Sequence, residues 1–276
     1  MNTSGIDLYI VTCDKTSWIL KATVPLLEKY WNIPKSVKVL GYTKPNIPYE
    51  FISMGESQVH IDNWCRDIYS ILKDQQSEYL ILMLDDFFAI DYVQPDILQE
   101  YLSLMKRDRD IVRCGIGNDA IFWPYSIIKD KGGYKIIQKI GGPYHISTQT
   151  SLWRKDYLLS ILKRSTSPWH FETGNKPDGK KVISSLHRYA FRWVAESALS
   201  SRHPGTINIL GMPFEDIKWL IDEKIFDPET LQYGHQATGT VPMFKEYGYD
   251  FNLSVMDEYT DKKFQHRYRI NYYNEI

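Results

Sequence analysis

Cysteine is scarce in this 276-residue chain: there are three, Cys13, Cys65 and Cys114, widely spaced and with no CxxC pair. That excludes a disulfide frame and a paired-cysteine zinc site, and it reads as reduced thiols in a cytosolic protein. No apolar run approaches the roughly 20 residues of a membrane span. The opening Met-Asn-Thr-Ser-Gly has neither the charged start nor the apolar core of a signal peptide. A cytoplasmic location is therefore expected, with peripheral contact to a membrane through a surface patch left open. Bias of charge is missing too: 33 Lys+Arg stand against 34 Asp+Glu, a net charge of −1. This argues against a nucleic-acid partner held by bulk electrostatics. GxxxxGK[ST], GxGxxG, GxSxG and HExxH do not occur. Their absence removes the direct arguments for a P-loop nucleotidase, a dinucleotide enzyme, a serine hydrolase and a zincin.

What is present is a globular composition, 43% hydrophobic and 24% charged, with an aromatic excess of 20 Tyr and 8 Trp. Aromatics in such number serve core packing first, and they also suit stacking on sugar rings or bases. The hydrophobic pattern alternates strand and helix from residue 6 to about 114. Strands are expected at 6–12, 37–42, 49–53, 79–84 and 110–114. Helices are expected at 19–30, where Pro25 marks a late start or a kink, at 61–72, and from Pro95 to Met105. Within 61–72 the residues Ile61, Trp64, Cys65, Ile68, Ile71 and Leu72 fall on one face at helical spacing. Such alternation predicts an α/β/α sandwich around a mostly parallel, Rossmann-like sheet.

The rhythm breaks over the Gly-rich 115–142, within which 136–140 reads as a short edge strand. Strand 147–153, helix 155–163, helix 186–199 and a strand-like 207–212 complete the expected elements. Beyond residue 220 the pattern weakens. The expected organisation is one domain over 1–219 with a less regular extension, 220–276, packed on it.

The stretch 79–91, YLILMLDDFFAID, is the chemical centre of the sequence. Six uncharged residues read as a strand buried on both faces. They run straight into Asp85 and Asp86, at the carboxyl end where open α/β sheets place ligands. Two adjacent carboxylates there call for a cationic partner or a hard divalent ion such as Mg²⁺ or Mn²⁺, which often joins one or two carboxylates to a diphosphate. The competing reading is an Asp pair that forms a turn. Other candidates have stronger structural alternatives. Arg66 reads as a phosphate contact or a solvated surface charge, and His203 as a loop histidine. Glu215-Asp216 read as first-turn helix acids that suit the helix dipole, with a role as base as the alternative. Trp123, Trp153 and Trp169 are either a stacking wall or core.

Taken together, IDLYIVTCD, WCRDIYSIL, YLILMLDDFF, ISTQTSLWRKDYLLSIL and WHFE, over roughly residues 6–175, resemble the GT-A class of nucleotide-sugar glycosyltransferases. The class metal motif is usually Asp-x-Asp, and Leu84-Asp85-Asp86-Phe87 departs from that spacing. The resemblance implies a hexosyltransferase-like enzyme of polysaccharide biosynthesis. It would move a sugar from a nucleotide-diphosphate-sugar to a glycan or lipid-linked acceptor, with Mn²⁺ or Mg²⁺ as cofactor. It further implies that Thr12 and Asp14 contact the base, that Asp85 faces the ribose or sugar, and that Asp86 reaches the metal, with Arg66 kept beside them as a candidate donor phosphate contact. Glu172 becomes the general base of an inverting reaction. The alternative is a non-catalytic glycan- or nucleotide-binding module of the same fold.

Overall fold

A computed structural model describes residues 6–31, 37–56, 61–89, 91–116, 124–131, 134–140, 145–187, 207–208, 214–225 and 231–232. The chain divides into two compact units, Met1–Val194 and Ala195–Ile276.

In the first unit β1 (Asp7–Val11) leads through a 3₁₀ turn, Ser17–Ile19, into α1 (Leu20–Tyr30). Then come β2 (Val37–Gly41), β3 (Glu50–Ser53), α2 (Trp64–Leu72) and β4 (Tyr79–Leu84). After them follow α3 (Pro95–Arg107), β5 (Ile111–Gly115), β6 (Tyr125–Asp130) and β7 (Tyr134–Lys139). The unit closes with β8 (Ser151–Arg154), α4 (Lys155–Arg164), α5 (Pro168–Thr173) and β9 (Lys181–His187). The strands form one nine-stranded sheet in the order β3-β2-β1-β4-β8-β5-β9-β7-β6.

The sheet is mixed. The half β3-β2-β1-β4 is parallel throughout, and β5 runs parallel to β9. β8 enters antiparallel between β4 and β5, and β7 runs antiparallel to both β9 and β6. The parallel half follows from the sequence: YLILML is buried along nearly its whole length because both of its faces are covered. Side chains alternate across a strand, so Tyr9, Val11, Leu80 and Leu82 share one face. They pack there with Trp64, Cys65, Ile68 and Leu72 of α2, with Leu158, Ile161 and Leu162 of α4, and with Phe171 of α5. Each such side chain, fully buried, contributes roughly 1.5–3 kcal/mol. On the opposite face Leu8, Ile10, Ile81 and Met83 are equally buried.

Pro25 neither delays nor ends α1, which runs on to Tyr30 because its Leu20, Val24, Leu26 and Leu27 are buried. The stretch expected as an edge strand, β7, lies inside the sheet, with β6 forming the edge beyond it. β8 begins at Ser151, four residues later than expected, since 148–150 form bends before it. The helix expected at 186–199 begins on the end of β9, and its residues 188–199 lie outside the described residues. Among the described residues no helix is long and apolar enough to cross a membrane.

The second unit contains β10 (Ile207–Asn208), α6 (Phe214–Asp222) and β11 (Leu231–Gln232), the two strands pairing in parallel. The remainder of the strand expected at 207–212 lies outside the described residues. Glu215 and Asp216 fall in the first turn of α6, as expected of acids that oppose a helix dipole.

Candidate active site at the carboxyl edge of the sheet

β1 and β4 leave the sheet in step. Val11 is paired with Leu84, and the Asp85 N–H extends the ladder by donating to Val11 O at 3.0 Å. The Thr12 N–H donates to Leu40 O at 2.8 Å, so the ends of β1, β2 and β4 lie side by side. At that edge Thr12 Oγ1 donates to Asp85 Oδ2 at 2.5 Å, and Thr16 Oγ1 donates to the same oxygen at 2.7 Å. The Asp85 carbonyl accepts from Thr23 Oγ1 in α1. Asp85 is 5% exposed. Burial, and then the neighbouring Asp86 charge, push its carboxyl up to about 7 against the opposing pull of the two threonine hydroxyls. Asp86 is half-buried and therefore the more accessible acid of the pair.

Two loops close around this core. Asp14 Oδ1 accepts from the Thr43 N–H at 2.9 Å, tying the loop after β1 to the loop after β2. Gly41 permits the close approach of these loops, since a Cβ there would lie 2.8 Å from Thr12 Cγ2. Tyr42 donates to Asp67 Oδ2 at 3.0 Å and brings the first turn of α2 to the same edge. Arg66 lies in that turn with its side chain 70% exposed, and its Nε is 3.3 Å from Asp67 Oδ1.

Glu172 reaches the edge from later in the chain. Because β8 opposes β4, with Ser151 across from Leu82, the segment 145–150 that leads into β8 lies at the carboxyl end of β4. Glu172 Oε1 accepts there from both the N–H and the Oγ1 of Thr148, at 2.7 and 2.8 Å. The short helix that carries Glu172 is firmly held. Ser167 caps it by accepting from the His170 N–H, and Pro168 occupies its first turn. Phe171 is buried edge-on against Trp64 and Trp153. Asn175 Nδ2 donates to Phe171 O at 3.0 Å and to His170 O at 3.3 Å. A Cβ on Gly174 would come within 2.1 Å of His170 Cδ2 and 2.7 Å of His170 O, so only glycine fits beneath that ring.

The structure thus gathers Thr12, Asp14, Arg66, Asp85, Asp86 and Glu172 on one edge. It adds Thr16, Tyr42, Asp67 and Thr148, whose hydroxyls and carboxylate left no pattern in the sequence. Arg113 was missed although a signal existed, a cation in the middle of the apolar strand DIVRC. It is fully buried, donates to Ser151 Oγ at 2.9 Å and His145 O at 3.2 Å, and lies over the Trp153 ring. It thereby fixes both ends of the segment that carries Thr148. Of the three tryptophans considered for a stacking wall, Trp153 is fully buried core, Trp169 is exposed, and Trp123 lies outside the described residues, as does His203.

Among the described residues no three His, Cys, Asp or Glu side chains cluster as a metal cage. The donor set at the end of β4 is two carboxylates. It fits an ion of the Mg²⁺ type, which is held by one or two carboxylates together with substrate phosphates and water. The like charge that raises Asp85 is a repulsion that a cation relieves.

No family model and no curated protein sequence matches this chain. Among solved structures it is similar to S. aureus TarS 1–349, with 11% identity and a TM-score of 0.42 over 70% of this chain and 61% of that one. A CMP:2-keto-3-deoxy-manno-octonic acid synthetase complexed with CTP gives 9% identity and 0.39 over 66% of this chain and 89% of that one. A cytidylyltransferase from Leptospira borgpetersenii serovar Hardjo-bovis gives 9% and 0.33 over 61% and 68%. These likenesses are distant. What defines the class here is the chain's own architecture: a mixed α/β sheet with an acid pair at the carboxyl edge of its central strand.

Proposed function

We propose that this chain is a glycosyltransferase that moves a sugar from a nucleoside-diphosphate-sugar to a hydroxyl of a glycan or lipid-linked acceptor, with inversion. The observation that carries the reading is the meeting, through the β4–β8 pair, of Asp85-Asp86 with the Thr148-bound Glu172 at one sheet edge. Thr12 and Asp14, in the loop after β1, flank the nucleoside. Arg66, exposed in the first turn of α2, faces the phosphates. Asp86, beside Asp85, would hold a divalent ion that supplies positive charge to the departing diphosphate. Glu172 takes the proton from the acceptor hydroxyl as its oxygen bonds to the anomeric carbon and the bond from that carbon to the diphosphate oxygen breaks.

A second reading, a binding module without catalysis, has one observation in its favour. Asp85 and Asp14 are both engaged in holding loops together, through Thr12, Thr16 and Thr43. The experiment that separates the two is a panel of nucleoside diphosphates and nucleotide-sugars, each with Mn²⁺ and with EDTA. It is read by thermal shift and by release of diphosphate in the presence of saccharide acceptors. The transferase reading requires a midpoint rise with one nucleotide and turnover that Asp86→Ala abolishes. A shift without any turnover assigns the binding module, and no shift with any donor refutes the donor site.

A further inference from the structure

Trp169 is 62% exposed, although it sits on the best-held short helix of the site. Capping by Ser167, the Asn175 bonds and the buried Phe171 leave α5 little freedom, so the indole is presented from a rigid base. Trp169 and Glu172 are three residues apart on a helix and therefore neighbours on its surface, while Phe171 points into the core. An aromatic ring of this size, left in water on a fixed element beside a carboxylate, matches the apolar CH face of a pyranose whose hydroxyl rim reaches the acid. The residues assigned to the donor come from other elements, the loops after β1 and β4 and the start of α2, so a ring on α5 serves the other substrate.

We propose that Trp169 is the stacking platform for a pyranose of the acceptor, whose hydroxyl then meets Glu172. This rests on the transferase reading for the role of Glu172, though the stacking itself does not. The test uses the full chain with methyl β-glucoside and methyl β-galactoside, both of which offer an apolar CH face. Saturation-transfer NMR is recorded for the wild type, Trp169→Phe and Trp169→Ala, in the presence and absence of a nucleoside diphosphate with diamagnetic Mg²⁺. Thermal midpoints are measured on the same samples. The expected result is transfer to the ring CH protons in the wild type and Trp169→Phe. Binding is weakened about ten-fold or more in Trp169→Ala, with the thermal midpoint and the nucleotide-induced shift unchanged. No transfer in the wild type, or equal transfer in Trp169→Ala, overturns the platform. If a nucleotide shift survives that result, the donor site stands and only the platform fails. Stacking without any nucleotide shift keeps the platform and removes the transferase reading.

Discussion

Asp85 makes the stability of this protein depend on pH in a direction opposite to that of most carboxylates. Its carboxyl sits at about 7 in the folded chain against 3.8 ordinarily, because burial and the Asp86 charge outweigh the Thr12 and Thr16 hydroxyls. A carboxyl raised on folding binds more protons folded than unfolded. Its contribution is fully present below pH 3.8, and it is lost as pH rises through about 7. Between pH 8 and pH 5 the gain comes from the roughly two pH units below 7, at 1.36 kcal/mol each, or about 3 kcal/mol. No large discount for solvent applies, since the residue is 5% exposed. At 2–4 °C per kcal/mol for a unit of this size, the midpoint rises by roughly 6–12 °C on acidification. The assay is thermal unfolding in EDTA, compared at each pH with Asp85→Asn. The variant keeps an acceptor for Thr12 and Thr16 but cannot ionise, so the difference between the two curves removes the histidines from the comparison. Asp85→Asn is expected to be more stable than wild type at pH 8 and to have lost this slope. Parallel curves for the two proteins would refute the claim that burial and Asp86 govern Asp85.

The remaining predictions concern Glu172, proposed to act on the acceptor, and the residues that support its segment. Glu172→Gln retains an oxygen for Thr148 and is expected to keep fold and nucleotide binding while lowering transfer about 10²–10⁴-fold; full activity removes Glu172 as base. Arg113→Met leaves Ser151 Oγ and His145 O without their guanidinium donor. It should cost about 1–3 kcal/mol in urea unfolding, and an unchanged midpoint would show that the buried cation is dispensable. Gly174→Ala forces a Cβ against the ring and carbonyl of His170. The expected loss is about 1–3 kcal/mol, with acceptor affinity impaired more than nucleotide binding; the opposite order would contradict the proposed assignment of α5 to the acceptor.

The parallel half of the fold was readable because its signals are long or strongly periodic. YLILML has no charge to interrupt it, and WCRDIYSIL repeats its apolar residues at helical spacing. The outer half was not. β6 reads YSIIKD and exposes most of its residues, so neither alternation nor a continuous apolar run marks it. With β6 unseen, its inner neighbour β7 looked like an edge. α5 is six residues long, too short to show a period. The acid pair stood out through its position after an apolar run. The hydroxyls of Thr16 and Thr148 stand in ordinary polar loops, and only the fold brings them to Asp85 and Glu172.

The place of β8 has a consequence for synthesis of the chain on the ribosome. β4 and β5 follow one another in sequence, yet they are joined only through β8, which emerges 67 residues after the end of β4 (151 − 84). Until then the growing chain holds a finished four-stranded half with the backbone of YLILML open along one side, the kind of edge that recruits stray strands. The segment that seals this edge also delivers Thr148, and Glu172 follows it by 24 residues. In a nascent chain the parallel half is therefore complete before Glu172 exists beside it, and the sheet closes before Glu172 arrives at its edge.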